Sequence, residues 1–148
     1  MPSLGKNFEK LFKEQARTLP NVYVYRLVDQ VSYLKGSWNP CDFFCYKKPT
    51  FYFVELKTCG TPSLPRKNIA DTQLNSMYEA ISIKGIKAFV VVWFYSKGVC
   101  RAFPIKYLWK LFNKDKKKSV RYDDEHGILI QGDKLKKYFI WHWEELFK

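Results

Sequence analysis

Apolar residues recur at helical spacing at the start of the chain. Leu4, Phe8, Leu11, Phe12 and Leu19 make one stripe, with Glu9 at its edge. The spacing predicts a helix over residues 3–18, with Ser3 as its N-cap and Pro20 closing it. The pattern then changes period. Residues 21–31, rich in Val and Tyr, predict a strand, and a polar loop follows over 32–40. Residues 41–46 and 51–58 predict two further strands, joined as a hairpin through the turn Lys47-Lys48-Pro49-Thr50. Residues 59–67 contain Gly60, Pro62 and Pro65 and predict a loop.

A second helix is expected over 69–84. Leu74, Met77, Tyr78 and Ile81 form its apolar face, Asn68 or Asp71 its cap, and Gly85 its end. Residues 86–95 are almost continuously apolar, as in a strand at the centre of a sheet. Lys97-Gly98 turns the chain into an antiparallel partner over 99–104, and a short helix is expected over 105–112. A charged loop follows over 113–118, then a strand at Ile128-Leu129-Ile130 and a terminal helix over 138–147. Helix, three strands, helix and two strands in that order predict an α/β fold with a central mixed sheet flanked by helices, in a single domain of 148 residues.

Charge sharpens this picture. Lys and Arg number 26 and Asp and Glu 14, a formal net charge of +12. On an aromatic-rich globular chain that balance points to a polyanion, of which nucleic acid is the commonest. The longest apolar run, residues 88–95, is far short of the roughly 20 residues a membrane helix needs. Lys6, Glu9 and Lys10 stand where a signal peptide would be apolar, so a cytoplasmic protein is expected. The cysteines, Cys41, Cys45, Cys59 and Cys100, form no CxxC pair, and the histidines are only His126 and His142. Zinc and disulfides are therefore not expected, and Cys41 and Cys45 read as small buried thiols on the face of Phe43. No glycine-rich nucleotide loop or nucleophile elbow is present, so no organic cofactor is expected.

Strand alternation picks out one constellation. Phe53, Glu55 and Lys57 share one face of their strand; Asp42, Phe44 and Tyr46 share a face of the preceding one. Hairpin pairing lets Asp42 and Glu55 converge beside Lys57. Two carboxylates and a lysine in apolar strands are costly unless paired or metal-bound. Two readings follow: a buried ion pair that braces the hairpin, or a site for metal-assisted phosphodiester hydrolysis, in which a hard divalent cation sits on carboxylate oxygens and lysine steadies developing charge.

Asn39-Pro40-Cys41-Asp42, followed thirteen residues on by Glu55-Leu56-Lys57, resembles the PD-(D/E)xK nuclease motif, an acid after a Pro-containing turn and then an acid-x-Lys strand. Within that superfamily the chain is most similar to RecU-type Holliday-junction resolvases. Gly5-Lys6-Asn7-Phe8-Glu9 resembles the family's early Gly-x-x-Phe-Glu segment, and Asp71-Thr72-Gln73-Leu74 its helical glutamine. Residues 85–94 and Phe103-Pro104-Ile105 resemble its apolar strand and Pro-led helix. The likeness covers about residues 5–112 and leaves 113–148 unplaced. In this chain Cys41 separates the acid from Pro40, and the short hairpin leaves little room for an extended stalk.

The resemblance implies a restriction-endonuclease-like core and a metal-dependent endonuclease that nicks four-way DNA junctions. Its principal ligands for Mg²⁺, or Mn²⁺ in its place, would be Asp42 and Glu55. Glu9 would complete the acidic cluster, Lys57 would be the catalytic lysine, and Gln73 would contact the metal-water shell or a phosphate. Residue by residue, a Glu9–Lys13 pair on the helix surface and a solvated Gln73 are the plain alternatives. Other DNA nucleases of this fold, and a basic DNA-binding module without catalysis, remain open at this point. Lys6, Lys47, Lys48, Arg66 and Lys67 are the candidate phosphate contacts. Lys114, Lys116, Lys117 and Lys118 form a second basic group, either a solvated loop or a DNA contact. Trp38 is a candidate wedge in an opened junction. Paired nicks in a two-fold junction call for a homodimer, to which the aromatic tail could contribute.

Overall fold

A computed structural model describes residues 3–28, 39–136 and 138–148. The first helix, α1, runs Leu4–Ala16, and the Ser3 side chain accepts the Lys6 N–H at 3.2 Å, the expected cap. Phe8, Phe12 and Ala16 recur every four residues and form its buried stripe. Asn21 takes a positive φ of 63° where the chain turns into strand β1, Tyr23–Arg26. Strands β2, Phe43–Lys47, and β3, Thr50–Cys59, form the expected hairpin, with Phe44 opposite Phe53. β4, Ser63–Pro65, and a 3-10 turn, Arg66–Asn68, lead to α2, Asp71–Ala80. β5, Ile86–Phe94, lies parallel to β3, and β6, Val99–Pro104, antiparallel to β5. α3, Ile105–Trp109, continues as a π-helical turn, Lys110–Lys114. β7 is Ser119–Arg121, β8 Ile128–Ile130, β9 Gly132–Lys134 and β10 Phe139–Trp141.

Among the described residues, six strands form the main sheet in the order β1-β2-β3-β5-β6-β8, with two-stranded ribbons β4–β7 and β9–β10. Successive residues of β5 feed opposite faces. Phe89 and Val91 join α1 and the C-terminal aromatics; Ala88, Val90 and Val92 join α2 and α3. Burial on both faces is why that strand is apolar from Ala88 onward. The mixed α/β architecture read from the chain is the one observed.

Five expectations are corrected. The first strand pairs only over Tyr23–Arg26 and has ended by Leu27; residues 29–31 lie outside the described residues, as do Trp38 and most of the expected 32–40 loop. Residues 59–67 are not all loop, because Leu64 and Val120 are buried and weld β4 to β7. Neither Asn68 nor Asp71 caps α2: Ala70 holds that position, and Asp71 turns to Arg66 at 2.6 Å. Cys41 does not share the face of Phe43 and Cys45. It precedes the strand and joins the α2 side of the core, while they join the α1 side.

The fifth correction is the tail. Residues 138–147 form β10 and a 3-10 turn, Trp143–Glu145, rather than a helix. Phe139, Trp141 and Trp143 alternate with the more exposed Tyr138, Ile140 and His142 at a spacing of two, which is strand periodicity. Trp141, Trp143, Leu146 and Phe147 are buried in the chain's own core, while Tyr138 and Ile140 are exposed. Gly132 is required opposite Trp141, since a Cβ there would stand 2.5 Å from the indole.

Candidate nuclease site

The site is built at the end of the β2–β3 ladder. Phe43 pairs with Val54, so the next position inward belongs to Asp42 and Glu55. The ladder stops there. Asp42 Oδ2 accepts the Leu56 N–H at 2.9 Å in place of a strand carbonyl, which holds the carboxylate beside β3. Glu55 lies mid-strand between β2 and β5 and is only 3 % exposed, the one buried charged residue among those described. Alternation points it to the α2 side, with Lys57 two residues on.

Both oxygens of Glu55 are engaged. Lys57 Nζ stands 3.1 Å from Oε2, and Gln73 Nε2, from the first turn of α2, donates to Oε1 at 3.3 Å. Glu9 comes from α1 and pairs with Arg26 at 3.1 Å, not with Lys13 as the plain alternative had it. Arg26 also donates to the main-chain carbonyls of Leu27 and Asp42, the latter at 3.4 Å. It bridges α1, β1 and the acidic strand end.

The electrostatics follow from burial. Loss of water pushes Glu55 up to about 7; the Asp42 carboxylate adds to the rise and Lys57 opposes it. Burial likewise raises Asp42, against the Leu56 N–H and the Arg26 and Lys57 cations. Glu9 is raised by burial and by Asp42, with Arg26 opposing. All three acids are thus raised, with burial outweighing the cations beside them. That arrangement favours an added cation or an added proton.

Glu9, Asp42, Glu55, Lys57 and Gln73 are therefore brought together. The candidate phosphate contacts are spread more widely. Lys6 lies on α1 close enough to Glu9 to stabilise its charge. Lys47 and Lys48 occupy the far turn of the hairpin, five or six residues along from Asp42, or about 17–20 Å of strand. Arg66 is held by Asp71 and lies over the Phe112 ring, while Lys67 is exposed in a cleft at the start of α2. Arg26 was not singled out from the sequence. Its signal was present: it shares a strand face with buried Val24, and an inward-facing charge needs a partner.

The sequence from residue 30 to residue 145 matches the family described as Recombination protein U, RecU. That span takes in Asp42, Glu55, Lys57 and Gln73 and also the C-terminal segment left unplaced above, but it begins after Glu9. No curated protein matches the chain. Among solved structures, the fold is similar to that of Hjc, a Holliday junction resolvase from the archaeal hyperthermophile Archaeoglobus fulgidus. The TM-score is 0.56 and the identity 18 %, over 83 % of this chain and 93 % of that one. D212, a nuclease from a fusselovirus, aligns at 13 % identity and a TM-score of 0.44, over 99 % of this chain and 91 % of that one.

Proposed function

Because the chain belongs to the RecU family of recombination proteins, we propose that it is a metal-dependent endonuclease that resolves Holliday junctions by paired phosphodiester nicks. The observation that carries this reading is Glu55, buried at 3 % exposure, ion-paired to Lys57 and placed beside Asp42. A hairpin brace needs one acid and one base. It gives no reason for Asp42, a second carboxylate, held against the same strand.

The donor set fits Mg²⁺. Among the described residues, no three His, Cys, Asp or Glu side chains gather into a ready metal cage. Mg²⁺ needs no such cage, because it keeps several waters and is commonly held by one or two carboxylates together with substrate phosphate. Asp42 and Glu55 would hold it, with Glu9 reaching it through water, and Mn²⁺ would substitute through the same oxygen donors. When bound, the ion polarises the scissile phosphate and makes a coordinated water more acidic.

The chain's own residues do the rest. The Leu56 N–H keeps Asp42 from turning away. Gln73 orients Glu55 from the start of α2. Lys57, a quarter exposed, faces both the acid and solvent, so its ammonium can move from Glu55 to the negative charge that builds on phosphate. Lys6, Lys47, Lys48 and Lys67 serve as phosphate contacts, which position DNA without reading sequence. Arg66 does so only as far as Asp71 releases it.

The chain acts as a homodimer, since a two-fold junction needs two matched cuts. Its place is the cytoplasm of a bacterium or of a virus-infected cell. Among the described residues no helix is long and apolar enough to cross a membrane. The test is cleavage of an immobile four-way junction beside a linear duplex of the same sequence, with Mg²⁺, with Mn²⁺ and with chelator. Paired, metal-dependent nicks confined to the junction are expected. Preferential cutting of the duplex would make this another nuclease of the same fold. Tight binding without any cutting would make it a DNA-binding module with structural carboxylates.

A further inference from the structure

Two basic segments far apart in sequence meet on one surface. The β4–β7 ribbon sets Pro65 opposite Ser119, and the Arg66 N–H donates to the Lys118 carbonyl at 2.8 Å. Arg66, Lys67 and Lys118 thereby line one cleft of about 780 Å³ with Asp71, at the start of the helix that carries Gln73. The rest of the lysine run is on the same loop.

That loop is not a loose tether. The Asp115 N–H donates to the Lys110 carbonyl and the Lys117 N–H to the Leu111 carbonyl, each at 3.0 Å, across the π-helical turn. Lys116 takes a positive φ of 55° to allow it. Arg66 reaches over Phe112 from the other segment. Segments 65–71 and 114–119 together carry six cations against two acids, Asp71 and Asp115, and Asp71 is already bound to Arg66. Among the described residues, Lys67, Lys114, Lys116, Lys117 and Lys118 make no ion pair. Backbone bonds that hold like charges together raise the energy of the free protein and lower it against a polyanion.

We propose that this cleft and its lysine loop grip the sugar–phosphate backbone of one double-stranded DNA arm, beside the cleavage site rather than within it. The inference rests on the nuclease reading for the identity of the polyanion. Of the two readings open for the 114–118 lysines, a solvated loop or a DNA contact, it takes the second. Gln73 links the two, since the helix whose start borders the cleft also reaches Glu55.

The experiment is fluorescence anisotropy in chelator, so that nothing is cut, over a salt series. It compares the wild-type chain with the triple variant Lys116→Gln, Lys117→Gln, Lys118→Gln. The control is Lys134→Gln, Lys136→Gln, on the β9–β10 ribbon that packs by α1. The substrates are a linear duplex and four-way junctions with long and with short arms. Each lost phosphate contact makes the slope of log affinity against log salt shallower by about 0.9. The triple variant is expected to lose about 2–3 from the slope on duplex and long-armed junction, and little on the short-armed one. The control is expected to lose little on any. An unchanged slope, or the same loss in the control, would overturn the inference; a urea midpoint equal to wild type excludes misfolding as the cause. Junction cleavage by the wild type in Mg²⁺ is scored separately. A chain that shows the lysine-dependent slope yet never cuts overturns the nuclease reading and leaves this surface standing.

Discussion

Glu55 has opposed demands placed on it. Its place in the strand is buried, yet the metal-binding role proposed for it requires a charge. In the folded chain it keeps its proton up to about pH 7, against about 4.5 for an ordinary glutamate, so the folded state holds more protons between those values. Stability of the metal-free protein therefore falls as pH rises from about 4.5 to 7. Glu55→Gln removes the buried charge and keeps an oxygen for Gln73. At pH 8 without metal it is expected to raise the melting temperature, by about 1–3 kcal/mol of stability, while abolishing cutting. A lower melting temperature at pH 8 would show that the charge is already compensated. Asp42→Asn retains an acceptor for the Leu56 N–H, so folding and junction binding are expected to survive. Its single-turnover cleavage rate is expected to fall by about 100-fold or more. An undiminished rate would remove Asp42 from the site.

At the scale of elements, α1 and the C-terminal segment depend on each other. Trp143 is 1 % exposed, meets Phe12 edge-on at 4.8 Å, and its Nε1–H donates to Gln15 Oε1 at 3.0 Å. The same Gln15 oxygen accepts the Trp141 N–H, and its amide nitrogen donates to the Phe139 carbonyl. The tail thus holds the helix that delivers Glu9. Trp143→Ala is expected to cost about 3–5 kcal/mol, read as a shift in urea midpoint. A cost below 1 kcal/mol would mean that the tail is dispensable packing. These elements were legible to different degrees. The amphipathic α1, the hairpin and the almost continuously apolar β5 follow from the local pattern of apolar residues. The β4–β7 pairing was not legible, because its two three-residue strands stabilise each other only across some fifty residues of chain.

At the scale of the molecule, a net charge of +12 is a statement about encounter with a polyanion, and the fold decides where that charge acts. Lys47 and Lys48, the nearest basic pair to the motif in sequence, lie at the far end of the hairpin. Lys118, more than sixty residues beyond Glu55, shares a cleft with Lys67. The dimer reading makes its prediction at this scale. Sedimentation with junction DNA is expected to give two chains per junction. Mixing wild-type and Asp42→Asn chains is expected to yield junctions nicked on one strand only. One chain per junction together with paired nicks would overturn the two-site arrangement.

Asp42, Glu55 and Lys57 could be read from the chain alone because a strand has a period of two and a hairpin has a fixed register. Those rules place three side chains on one face without knowledge of the rest. The tail aromatics showed their period of two as well, but only burial against α1 distinguishes a strand there from a helix. The partners of Arg26, the Arg66–Asp71 pair and the meeting of Lys67 with Lys118 were decided by tertiary structure. Each joins side chains on elements whose approach is set by packing of distant apolar residues, and a charge along a sequence carries no record of what it will face.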